Sequence, residues 1–197
     1  MSKKTDIDID IANRDELLKV IPHTPASMIH NNIIKKHNVG VYLQEIPTFL
    51  DTGLASIDYK VAGDYGYFKL DVLNNSIYES IKSEEQLDRL LSIEPHWNLL
   101  LDESVVEGLF QISNYHKDLL HWKPKSVIEL AMFIAMIRPS KKHLLQCKSW
   151  QEVEKEIWQK PNDDSAYFKK SHSIAYAKLI VVQLNLIVES ENTIPYT

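Results

Sequence analysis

The chain has 197 residues, 44% hydrophobic and 25% charged, which is the balance of an ordinary globular protein able to bury one substantial core and a smaller lobe. A net charge of −5 argues against a surface that binds nucleic acid everywhere, because dedicated nucleic-acid domains are basic. The single cysteine, Cys147, excludes a disulfide framework; with no apolar run of about 18 residues and no leader after Met1-Ser2-Lys3-Lys4, a cytoplasmic protein without a membrane span is expected.

Asp6-Ile7-Asp8-Ile9-Asp10 alternates carboxylates with isoleucines. As a strand it would turn the isoleucines to a core and all three aspartates to the other face, successive ones roughly 7 Å apart. Charges that close repel unless a cation lies between them, and all-oxygen ligands suit a hard ion such as Mg²⁺. An EF-hand loop fits poorly, because its sixth position requires Gly where this chain has Ile11. The plain alternative is an edge strand with a solvated acidic face.

Further along, Asn13 with Glu16 makes a capping-box start for a short helix ending near Ile21. Thr24-Pro25 reads as the N-cap and first position of a second helix reaching about Lys36. Strands are expected over Val39 to Ile46, Leu54 to Val61 and Tyr67 to Leu73, punctuated by Gly53, Gly63 and Gly66. From Asn74 onward the pattern is helical. Ser83 with Gln86 caps a helix carrying Leu87, Leu90 and Leu91, and Ser126 caps the apolar run Val127 to Ile137, which Pro139 stops. Helices over Lys141 to Gln159 and Ala166 to Val188 flank a turn at Pro161-Asn162-Asp163-Asp164. The expectation is therefore α+β: a small sheet in residues 1–73 and a helical lobe in 74–197.

A second acidic site lies in Tyr67-Phe68-Lys69-Leu70-Asp71-Val72-Leu73, where Lys69 and Asp71 face the same way. If this strand pairs beside the first, Asp71 joins the acidic face with Lys69 next to it. Two-metal sites for in-line phosphoryl displacement need such a set: carboxylates bridging ions about 3.5–4 Å apart, and a cation for developing charge. The other reading is a surface ion pair of little worth. The eight histidines lack zinc spacing. Trp97, Trp122, Trp150 and Trp158 sit among leucines, as core residues do, although indoles also stack bases. The cationic pairs Lys35-Lys36, Lys123 with Lys125, Lys141-Lys142 and Lys169-Lys170 read as solvated helix ends.

Six segments, in order, resemble the catalytic core of family C bacterial replicative DNA polymerases, the DNA polymerase III alpha subunit type, drastically shortened. Asp6 to Ile11, followed by Arg14-Asp15-Glu16, resembles that family's P-D-[IF]-D-[IV]-D-F strand and the helix start after it. His37-Asn38-Val39-Gly40-Val41 resembles H-A-A-G-V, and Phe68 to Leu73 resembles V-K-F-D-F-L-G. Gly108 to Ser113 resembles G-[IV]-F-Q-[LI]-E-S; Lys123-Pro124 through Arg138-Pro139 resembles K-P-x5-L-x6-R-P-G; and Phe168 to Ala177 resembles F-N-K-S-H-x-x-A-Y-A.

The resemblance implies a palm of the polymerase-beta-like nucleotidyltransferase kind with a helical fingers lobe. It implies Asp8, Asp10 and Asp71 as metal-binding catalytic aspartates for Mg²⁺ or Mn²⁺, with Lys69 beside the third and Asp6 not a ligand. Arg138, Lys170, Ser171, His172 and Tyr176 match positions near the incoming nucleotide. The implied activity is addition of deoxynucleotides to a primer 3′ end, with primer–template DNA and deoxynucleoside triphosphates as partners.

The departures are equally specific. The family's triphosphate-holding glycine-serine motif has no counterpart ahead of Asp6, and Arg138-Pro139 runs into Ser140-Lys141-Lys142 instead of an arginine- and glutamine-rich stretch. Lys141 and Lys142 are candidate substitutes as phosphate contacts. Nothing in 197 residues matches a thumb or clamp-binding domain, though Gln183-Leu184-Asn185-Leu186-Ile187 resembles a sliding-clamp peptide as well as an ordinary helix face. Two alternatives stand beside catalysis: a catalytically silent polymerase-derived module acting on a replisome, such as that of a virus or mobile element, and one part of a split polymerase.

Overall fold

The structure is a computed structural model and describes residues 7–161 and 167–191. Asp6 and the expected turn residues Asn162 to Asp164 lie outside the described residues. The chain forms two compact units, divided between Lys82 and Ser83. The first carries the sheet and the second is helical, so the protein is α+β. The division falls after residue 73 because the segment behind the last strand stays with the sheet: the Asn75 amide donates to the Ile11 carbonyl and Ile77 is buried.

In the first unit, strand β1 (Ile7–Ile11) leads into helix α1 (Arg14–Val20), whose N-cap Asn13 accepts from the Glu16 amide as the capping box requires. Strands β2 (Thr24–His30) and β3 (Ile33–Tyr42) then form a hairpin where the sequence suggests a helix from Thr24. Asn31 and Asn32 decide this: both take left-handed backbone angles, φ 48° and 60°, so two residues close a hairpin in which β-branched neighbours pair. The expected strand over Leu54 to Val61 is also absent. A loop with two isolated bridges, Thr48 to Ala55 and Asp58 to Ser27, passes into the short helix α2 (Tyr59–Ala62), because Asp58 accepts from the Lys60 amide and caps it. Strand β4 (Leu70–Asn74) completes a mixed sheet of order β1-β4-β3-β2, with β4 parallel to β1 and antiparallel to β3.

The isoleucines of β1 do not reach a core as expected. Ile7 is 46% and Ile9 37% exposed, because β1 is an edge strand. Alternation sorts side chains to two faces but does not decide which face is covered.

In the second unit, α3 (Glu84–Ser92) starts at Ser83, which accepts from Gln86, and is followed by α4 (Glu103–Val106) and α5 (His116–Trp122). Helix α6 (Val127–Met136) starts at Ser126, which accepts from Glu129, and is buried on nearly every side. The single helix expected over Lys141 to Gln159 is instead a 3-10 stretch (Pro139–Gln146) and α7 (Trp150–Glu154), separated at Cys147 because Ser149 caps a new start. Helix α8 (Lys170–Glu191) packs on α6 and α3. Contrary to the sequence reading, α8 is long and apolar enough to cross a membrane, but its Ala177, Ile180 and Leu184 belong to the core of this unit. Trp122 is buried in the same core, and Trp97, Trp150 and Trp158 pack against it.

Candidate active site

Parallel pairing places Asp8 directly opposite Asp71, and partners in register project from the same face. Asp10 lies two residues further along that face, opposite Leu73. On the other side of β4, Gly40 is the register partner of Asp71. One row across three strands thus reads Asp8, Asp71, Gly40. Asp8 is exposed, whereas the Asp71 side chain is 15% exposed.

A bulge shapes the β3 end of this row. Pro25 pairs with Val41 but Ser27 pairs with Lys36, leaving residues 37–40 outside the β2 ladder. The His37 ring turns back over it, with Nδ1 accepting from the Gly40 amide at 2.9 Å and the Val39 amide at 3.4 Å. The same Nδ1 lies 4.0 Å from Asp71 Oδ1, so His37 and Asp71 are neighbours across the bulge.

The partner of Asp71 is Lys69, whose Nζ donates to both carboxylate oxygens at 2.7 and 2.6 Å. The Lys69 side chain is 10% exposed, so the solvated surface pair of the plain reading does not describe it. Gly40 makes room: a Cβ there would stand 2.9 Å from Lys69 Cδ, 3.1 Å from Asp71 Oδ1 and 2.8 Å from His37 Nδ1. The Tyr59 ring, fixed by the Asp58 cap, stacks tilted on His37 with centroids 4.7 Å apart, and Lys69 Nζ lies 5.5 Å from its centroid.

Two phenols border the site. Burial pushes Tyr42 up to about 12, and the charges of Asp58 and Asp71 add to the effect. Burial also raises Tyr78 above its ordinary value, with Asp10 contributing. Sequence reasoning missed Tyr42, Tyr59 and Tyr78. The first two lie in segments with no motif of their own, and Tyr78 follows the strand by four residues; pairing alone brings them in.

The donor set of Asp8, Asp10 and Asp71 is all oxygen and suits a hard divalent ion in type. Among the described residues, however, no three His, Cys, Asp or Glu side chains are gathered closely enough to hold a metal ion. The place a cation would take on Asp71 is held by Lys69.

In the second unit three of the resembling segments meet. The Arg138 guanidinium lies 4.0 Å from the Phe168 ring centroid and donates to the side chain of Gln111. Tyr176 packs between Phe110 and Phe168, at 5.5 and 5.4 Å. Burial lowers the Arg138 pKa, and Tyr115 and Tyr176 act in the opposite direction. Lys170, Ser171 and His172 are exposed on the first turn of α8, with Lys170 Nζ 5.9 Å from the Trp158 ring.

Two expectations are corrected. Lys141 is only 4% exposed and donates to the Glu156 carbonyl at 2.8 Å, so it is committed to the fold and not to a phosphate; Lys142 is exposed. The clamp-like segment is interior helix: Leu184 is fully buried, and Gln183 accepts from the Phe110 amide and donates to the Gly108 carbonyl. Comparisons with protein-family models, curated proteins and solved structures return no match.

Proposed function

We propose that the chain is a divalent-metal-dependent nucleotidyltransferase: a minimal, cytoplasmic DNA polymerase with a polymerase-beta-like palm and a helical fingers lobe. The observation that carries this reading is the parallel pairing of β1 with β4, which sets Asp8 opposite Asp71 on one face. That pairing is what two separated acidic strands need in order to act together.

Asp8, Asp10 and Asp71 supply the anionic face that takes Mg²⁺ or Mn²⁺. Such ions, held by these carboxylates, would supply positive charge for activating the primer hydroxyl and for neutralising the pyrophosphate. Lys69 contributes a positive charge beside Asp71, and Gly40 keeps the approach to it open. Within the helical unit, Arg138, Lys170, Ser171, His172 and Tyr176 are the groups that the resemblance assigns to the deoxynucleoside triphosphate, and exposed Lys142 is a candidate phosphate contact. Primer–template DNA is the second substrate.

The test is extension of a labelled primer–template by the full chain with Mg²⁺ or Mn²⁺. Extension by the wild type that falls roughly a hundred- to a thousandfold in Asp10→Ala supports the reading. A folded wild type that extends nothing overturns it as a stand-alone activity. The absence of a gathered three-carboxylate group among the described residues favours the second reading, a catalytically silent polymerase-derived module acting on a replisome.

A further inference from the structure

We propose that the cleft between the C-terminal turns of α3 and α8 is a binding site for a small aliphatic α-amino acid, held as its zwitterion. The cleft lies wholly within the helical unit, and the inference stands apart from the reading of the acidic strands.

Three observations carry it. The first is space: the cleft has a volume of about 330 Å³, and Leu90, Ile93 and Val188 give it an aliphatic wall. That volume lies at the lower end of the roughly 300–1,000 Å³ found for small-molecule sites.

The second is a buried polar side chain. Asn185 lines the cleft and is only 6% exposed. Its Nδ2 donates to the Leu90 carbonyl at 2.8 Å and to the Ile93 carbonyl at 3.0 Å. Both amide hydrogens are thereby used, which leaves Oδ1 as the acceptor that Asn185 can offer a ligand. The cleft therefore favours a ligand with an N–H or O–H donor.

The third is an ion pair among the lining residues. Arg89 Nη2 donates to Glu189 Oε1 at 2.8 Å, with side chains 50% and 38% exposed, and His96 lines the cleft with them. A pair this exposed is worth little, so a ligand opens it at small cost.

These groups select by charge. A ligand with a carboxylate alone would take Arg89 from Glu189, and an amine alone would take Glu189 from Arg89. An α-amino acid carries both charges on one carbon and replaces each partner. Its carboxylate pairs with the fork of the Arg89 guanidinium. Its ammonium has three donors, enough for Glu189 and Asn185 Oδ1. Its aliphatic side chain covers Leu90, Ile93 and Val188 and removes their surface from water.

The test is calorimetric titration of the full chain with L-leucine and with two analogues that each lack one charge, 4-methylpentanoate and 3-methylbutylamine. L-Leucine should bind one-to-one, and each analogue at least about tenfold more weakly. Arg89→Gln should weaken L-leucine about tenfold without weakening 3-methylbutylamine; Glu189→Gln should do the same without weakening 4-methylpentanoate.

A folded wild type that takes up no L-leucine overturns the proposal. Equal binding of all three compounds also overturns it, because the cleft would then be an apolar groove without charge selection. Variants that bind L-leucine as the wild type does would place any binding elsewhere and overturn it too. Both substituted side chains are well exposed, so the variants should keep the circular dichroism of the wild type. Should one fail to fold, the three compounds on the wild type decide.

Discussion

Among the described residues, the helical unit gathers twenty buried residues into one apolar cluster around α6 and α8, whereas the sheet unit gathers five: Ala26, Tyr42, Ile46, Ala55 and Ala62. The sheet unit also exposes Ile7 and Ile9 on its edge strand and commits buried space to Lys69 and Asp71. A unit of about 80 residues buries a modest share of its surface to begin with. Removing further interior for charged groups leaves its stability dependent on a few specific contacts. The contrast teaches where each kind of side chain is affordable: redundancy of packing in the helices, and a polar face held by single contacts in the sheet.

That comparison can be broken or sharpened by substitution. The largest effect is expected at Gly40→Ala, where the new methyl meets the fixed His37 ring as well as Lys69 and Asp71. It should cost about 3 kcal/mol, the upper end for overpacking, and speed amide exchange in β3 and β4. An unchanged exchange rate would show that the bulge yields and that the site is not tightly built.

In the helical unit the corresponding single contact is Asn185, buried on α8 and donating to the carbonyls of Leu90 and Ile93 at the end of α3. Asn185→Ala should cost about 2 kcal/mol by leaving those carbonyls unpaired. All four tryptophans lie in this unit, so their fluorescence during urea unfolding reads the loss. A midpoint that does not move would mean that the large core makes this polar contact redundant.

The smallest effect is expected at Tyr42, whose buried hydroxyl has no hydrogen-bond partner among the described residues. Its folded pKa of about 12 stands above the ordinary 10.0, so the neutral form is favoured in the fold. The stability this contributes is whole below pH 10 and is lost as pH rises through 12. Tyr42→Phe should change stability by less than about 1 kcal/mol near neutrality and should lessen the loss between pH 10 and 12, followed by circular dichroism. Equal alkaline loss in both proteins would assign it to other groups.

What the sequence made legible was local. Asn13, Ser83 and Ser126 announce their helices because a cap is read within four residues, and each caps as expected. The two acidic strands were recognisable by alternation, but their adjacency is a pairing across sixty residues that no local pattern encodes. The hairpin of β2 and β3 was misread because Thr24-Pro25 fits a helix start, while the decisive signal was the Asn31-Asn32 turn several residues on. Lys141 looked like a solvated cation beside Lys142, and only the fold turns one inward and leaves the other outside. Tyr42 and Tyr59 enter the site through the bulge and the Asp58 cap, which depend on tertiary context.

The central claim is that Asp8 and Asp71 work as one divalent-metal face because β1 pairs with β4. Calorimetric titration of Mn²⁺ into the wild type, Asp8→Asn and Asp71→Asn tests it most directly. The account predicts binding by the wild type that weakens at least about tenfold in either variant. Binding that survives both substitutions unchanged, or a wild type that takes up no Mn²⁺, would contradict it.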